Sequence, residues 1–275
     1  MRSVIIFDAD NTIWDTDAVF RSAQLALLQT LASDGLLDNP ASHLTLLRAI
    51  DCHLMALHGK AEYGFDALAL ALIIAFTRHC SAEEAASEAF TEAQTQDFER
   101  YRPLIHMAHN TFADALHQPP PLFADALAIL LSLRAASISA SSIATILMTE
   151  GDTTRIERAF SAHRFRERTL FDEILILEKN ADTMAYARSV GYRILCVSEE
   201  TTPILTVFVG DSLKRDIQPA NRAGFVTVYK PAAFKGFEIP QADDETPTHV
   251  IHSLAELPHL LARLGAEIQT VASQG

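Results

Sequence analysis

The chain has 275 residues, 49% of them hydrophobic and 21% charged, which supports a packed core and excludes disorder as its main state. Its formal charge of −13 argues against a nucleic-acid backbone or an anionic membrane as partner. A small phosphorylated ligand stays compatible, because a metal ion and one lysine reverse the local sign. Cys52, Cys80 and Cys196 are few and far apart, as expected of reduced thiols. Only three residues precede the first apolar run, and Asp8 breaks that run, so no secretory signal is expected. No uninterrupted apolar stretch is long enough to cross a bilayer. A soluble, cytoplasmic monomer or homodimer is the expectation.

Val4-Ile5-Ile6-Phe7 is short, apolar and rich in β-branched residues, which predicts a buried strand ending at Asp8-Ala9-Asp10-Asn11-Thr12. From Ala18 to about His117 the signals are helical. Leu44, Leu47, Ile50, Leu54 and Leu57 keep helical spacing, and Asp66 to His79 is apolar nearly all round, as in a helix buried on several sides. Ser81-Ala82-Glu83-Glu84 reads as an N-cap with acids in the first turn, opening a helix that could run to about Arg100. Pro119-Pro120-Pro121 ends this module, since a proline run cannot continue a helix. Helices and strands then alternate. Strands are predicted over Ile143–Met148, Ile174–Leu177, Leu205–Val209 and Val226–Val228, with helices over Phe123–Ala136, Thr153–Phe160, Asn180–Val190 and Asp216–Ala223. That order implies an α/β domain built on a parallel sheet covered on both faces. A helix after Leu254 closes the chain. The predicted division is an α/β core of residues 1–17 and 118–275, with a helical domain of residues 18–117 inserted.

Four predicted strands end in polar residues: Asp8 and Asp10, Thr149 with Glu150, Lys179, and Asp211 with Asp216 five residues on. In a parallel sheet these ends share one edge, where ligands bind. Acid pairs, a hydroxyl and a lysine suit phosphoryl transfer. The carboxylates would hold Mg²⁺, which prefers oxygen ligands, and one of them could attack phosphorus.

On these residues the sequence resembles the haloacid dehalogenase-like hydrolases. Asp8-Ala9-Asp10-Asn11-Thr12 matches their DxDxT motif, Thr149 their strand-end hydroxyl, and Lys179 their basic residue. Gly210-Asp211-Ser212-Leu213-Lys214-Arg215-Asp216 matches GDxxxxD, and the helical insertion resembles their C1 cap. The resemblance implies a HAD-like Rossmannoid core and a Mg²⁺-dependent phosphatase. Asp8 would be nucleophile and metal ligand, and Asp10 acid/base and a ligand through its main chain. Thr149 would hold phosphate, Lys179 would pair with nucleophile and phosphate, and Asp211 would bind metal. Asp216 would act at the metal directly or through water. Asn11, Thr149, Glu150 and Lys60 are the candidate substrate-binding residues. Asn11 stands where glycine is frequent, which Asn tolerates. Lys179 lies in Glu178-Lys179-Asn180 where the family often has Lys-Pro, and Lys214 is its rival.

Plainer readings stand beside these. Thr is ordinary at a strand end, and Asp216 could cap the following helix. Trp14 could wall the pocket or pack. The loop between Gly59 and Gly64, with His58 at its edge, carries Lys60, Glu62 and Tyr63 and could meet a substrate or be merely solvated. A 2-haloacid dehalogenase would need neither Asp10 nor Asp211, and a phosphonatase would need a Schiff-base lysine and usually Ala at the place of Asp10. A non-catalytic binding module would have lost part of the motif set. The expected substrate is a small phosphorylated metabolite, a nucleotide or sugar phosphate among the possibilities.

Overall fold

The computed structural model describes residues 2–59, 64–92, 101–140, 142–151, 153–163, 170–199, 202, 204–232 and 237–272. The chain divides into two compact units, residues 1–17 with 119–275, and residues 18–118. The first is an α/β unit around a six-stranded sheet. β1 (Ser3–Phe7), β2 (Ile143–Thr149), β3 (Glu173–Ile176), β4 (Leu205–Gly210), β5 (Val226–Tyr229) and β6 (His249–Val250) lie in the order β3-β2-β1-β4-β5-β6. Every pairing is parallel. β1 is central because its side chains are apolar in both directions. Ile5 and Phe7 pack on one face, with Val207 and Val209 of β4. Val4 and Ile6 pack on the other, with Phe208.

Helices α6 (Ala126–Ala140), α7 (Thr153–Ala162) and α10 (Leu257–Ala272) contribute to the first of these cores, and α8 (Ala181–Ile194) and α9 (Gln218–Arg222) to the second. In α8 a Cβ on Gly191 would lie 2.4 Å from the Val4 side chain, so only glycine lets this helix approach β1 so closely. Asn180 starts α8 with a capping box shared with Thr183.

Asp125 joins the start of α6 to the turn before α10, accepting hydrogen bonds from Ser253 Oγ and from the Ala255 amide at 3.2 Å. Burial alone would raise its carboxyl, but these bonds outweigh it and hold the group below its ordinary value. A depressed carboxyl stabilises the fold above its unfolded pKa, and that contribution is lost as pH falls through the folded value. Asp125→Asn is therefore expected to cost about 0.5–1 kcal/mol near pH 7, at the low end because solvent screens this part-exposed site. The deficit should shrink by pH 3. Urea unfolding followed by Trp14, the sole tryptophan, measures it.

The second unit is helical: the greater part of α1 (Thr16–Ser33), then α2 (Leu44–His58), α3 (Phe65–Arg78), α4 (Ala82–Glu92) and α5 (Arg102–Leu116). The expected stripe on α2 buries Leu44, Leu47, Ile50 and Leu54, while Leu57 stays exposed. α3 is buried continuously from Ala67 to Ala75, as its all-round apolarity requires. Ser81 and Glu84 form the reciprocal cap at α4. Among the described residues no helix is long and apolar enough to cross a membrane.

Three local expectations change. Residues 123–125 precede α6 rather than belong to it, since Asp125 is held in the turn contacts just described. Residues 216 and 217, the predicted start of a helix, close a π-helical turn (Leu213–Ile217) before α9 instead. Residues 249 and 250, assigned to no element from the sequence, form the short edge strand β6, which two residues of periodicity could not reveal.

Candidate active site

β1 is flanked by β2 on one side and β4 on the other. The chain builds outward from β1 to β2 and β3, then returns across the sheet to β4 and β5. β1 is thus the topological switch point, where the two neighbouring loops part and leave a crevice. The register places Phe7 level with both Leu147 and Val209. Asp8, Thr149 and Asp211 therefore emerge from adjacent strand ends. The Asp8 amide extends the ladder to the Val209 carbonyl at 2.8 Å.

Asp8, Asp211 and Asp216 are all buried, and each offers a carboxylate oxygen within 4.8 Å of the others. Lys179, arriving from the end of β3, forms ion pairs with Asp8 and, at 2.5 Å, with Asp216. Lys214 is exposed, so the basic residue against Asp8 is Lys179. Burial alone would lower the lysine, but Asp216 and Asp8 outweigh it and hold the ammonium charged well above its ordinary range. Burial raises the Asp8 carboxyl well above its ordinary value. The Lys179 charge works against that rise, and Asp216 and Asp211 add to it. The three buried carboxylates outnumber the lysine that is ion-paired with two of them. A divalent cation with oxygen preference fits that donor set and that charge.

Asp216 does not cap a helix. Its Oδ2 accepts the amides of Asp211 at 3.1 Å and Ser212 at 2.9 Å, folding the loop around itself. Ser212 is the cap instead. Gly210 makes this possible, since a Cβ there would lie 2.5 Å from that of Asp216. Asn11 adopts the left-handed region at φ 55°. Its Nδ2 donates to Asp211 Oδ2 at 3.3 Å and to Asp17 Oδ1 at 3.1 Å. Thr149 is buried, and its Oγ1 accepts the Gly151 amide at 3.1 Å.

Glu150 is engaged by the protein. One oxygen accepts the Lys179 amide at 2.9 Å, and the other pairs with Arg215. Burial would raise its carboxyl, but these bonds hold it below its ordinary value. Its contacts tie the loop of Lys179 to the end of β2. Lys60, with Glu62 and Tyr63, lies outside the described residues.

Asp10 points to a different set of partners. Its Oδ1 accepts from Thr16 Oγ1 at 2.6 Å, Arg155 Nη2 at 2.7 Å and Trp14 Nε1 at 3.2 Å. Trp14 is buried edge-on against Phe160, so it both packs and orients Asp10. Arg155 is not singled out by the sequence because it sits among Glu157 and Arg158 on α7, where a charged residue looks like a solvated face. Lys230 is missed because the last strand is predicted to end too early. Carried to Tyr229, the strand-end rule that selects Lys179 selects Lys230 as well. Lys230 is buried, and its Nζ donates to the Asn11 carbonyl at 2.8 Å.

No protein-family model matches the sequence and no curated relative does; the likeness lies in solved structures. A haloacid dehalogenase-like family hydrolase from Xanthomonas campestris superposes with a TM-score of 0.58 at 21% identity, covering 97% of each chain. YfnB from Bacillus subtilis, in a structure bound to magnesium, superposes with a TM-score of 0.52 at 18% identity, covering 94% of this chain and 98% of its own.

Proposed function

We propose, from the haloacid dehalogenase-like fold that the chain shares with these structures, that it is a hydrolase of small phosphate monoesters. What carries the reading is Asp8, a buried carboxylate at the switch point, paired with Lys179 and grouped with Asp211 and Asp216. A carboxylate in that place is a nucleophile with its counter-charge already in position.

Asp8 attacks phosphorus, and the bond to the leaving oxygen breaks. Asp10 delivers a proton to that oxygen, so the alcohol departs neutral and Asp8 is left as an acyl phosphate. Asp10, now ionised, takes a proton from water as the water attacks the phosphorus. Phosphate leaves and Asp8 is restored. The three donors on Asp10 converge on Oδ1, which reserves Oδ2 for the proton. Thr149 donates to a phosphate oxygen, and Lys179 offsets charge on the transferring group. Asp8, Asp211 and Asp216 would hold Mg²⁺, which supplies further neutralisation of that group when bound. The magnesium of the Bacillus subtilis structure and the three clustered carboxylates here support this choice of ion.

A phosphate-release screen across sugar phosphates, nucleotides and cofactor phosphates tests the reading. Turnover of at least one class is expected with Mg²⁺, and loss of it with a chelator. Chelator-resistant halide release from 2-haloacids, with no phosphate release, would establish a dehalogenase instead.

A further inference from the structure

Lys230 spends a buried ammonium on a backbone carbonyl at the centre of an acidic site, and the mechanism above makes no use of it. It follows β5 directly, and its amide is fixed to the Gly210 carbonyl at 2.9 Å. Its Nζ lies 3.6 Å from the centroid of the Phe123 ring and 2.8 Å from the Asn11 carbonyl oxygen. Asn11 is the one residue of the Asp8–Thr12 loop with a positive φ, a conformation that costs a non-glycine residue energy and persists when its surroundings impose it. Here the surroundings are visible. Lys230 holds the carbonyl, the Asp17 amide holds the side-chain oxygen at 2.9 Å, and the side-chain nitrogen is thereby turned onto Asp211 Oδ2.

We propose that Lys230 is a positioning residue for the cation site: through Asn11 it fixes the direction of the Asp211 carboxylate beside Asp8 and Asp216. This rests on the reading that these three acids bind a divalent cation. A group that orients a ligand from behind typically changes metal affinity 10–100-fold when removed. The sign of the change separates positioning from charge. Lys230 is a cation within electrostatic reach of Asp211, Asp15 and Asp17. If charge were its whole role, deleting it would tighten Mg²⁺ binding. If it positions Asn11, deleting it loosens binding.

The experiment is calorimetric titration of the full chain with Mg²⁺ alone, without substrate, alongside thermal unfolding. Lys230→Met is expected to weaken binding about 10-fold or more at a temperature where the variant is folded. Asn11→Gly keeps the positive φ, changes no charge and removes the side-chain link, so it should weaken binding similarly and serves if Lys230→Met does not fold. Unchanged or tighter Mg²⁺ binding in either folded variant overturns the proposal. Failure of the native chain to bind Mg²⁺ overturns instead the reading on which it rests.

Discussion

Asp8→Asn is expected to lower phosphate release by roughly 10⁴-fold or more while the chain keeps its fold. The amide has the shape of the carboxylate and an oxygen that still accepts from Lys179, but no anionic oxygen to attack phosphorus. The substitution should not destabilise, because burial and the neighbouring Asp216 and Asp211 already disfavour the charged form of Asp8. Activity is measured with Mg²⁺ on whichever ester the native chain hydrolyses best, and folding by thermal unfolding. Intact-mass measurement after substrate addition should show a transient gain of one phosphoryl group in the native chain and none in the variant. Residual turnover within about tenfold of native would remove Asp8 from the nucleophile role.

Lys179→Met is expected to damage both stability and activity, in a way that reports on the charge balance. The ammonium is nearly inaccessible and lies between Asp8 and Asp216. Removing one partner of a buried ion pair typically costs roughly 3–5 kcal/mol, because the other charge is left uncompensated. Here two carboxylates would face each other without it. Two consequences distinguish this from ordinary cavity formation. A carboxyl whose folded pKa is raised binds a proton more readily in the native state than in the unfolded one, so the deficit should be largest near neutral pH and shrink as pH falls. Added Mg²⁺ should raise the melting temperature of the variant more than that of the native chain, since a ligand that binds only the folded state stabilises by mass action and here also replaces lost charge. A deficit indifferent to both pH and Mg²⁺ would mean that Lys179 merely fills space. Activity should fall by roughly 10²–10³-fold at saturating Mg²⁺, the usual loss on removing one preorganised donor from a site of developing charge.

The sequence by itself determined the sheet's inner strands and the chemistry at their ends. Val4 to Phe7 and Leu205 to Val209 are almost wholly apolar, as a strand buried on both faces must be. The polar residues that stop such strands lie on one edge wherever the strands run parallel, so the pattern alone groups Asp8, Thr149, Lys179 and Asp211. Helix caps such as Ser81 with Glu84 were equally legible, because their partners are three residues apart.

Only the tertiary structure decided which of two lysines meets Asp8. It also showed that Asp216 folds its own loop, that Glu150 is occupied by Arg215, and that Arg155 and Lys230 belong to the site at all. Each of these contacts joins residues that the sequence separates widely, or depends on a side-chain direction that local pattern does not encode. Arg155 reaches Asp10 across 145 positions, and Lys230 reaches Asn11 across 219. A charged residue on an amphipathic helix or after a last strand looks the same in sequence whether it faces water or a buried carbonyl. The strand order settles the difference, because β5, beyond β4, lies on one side of β1, and β2, which leads into α7, lies on the other.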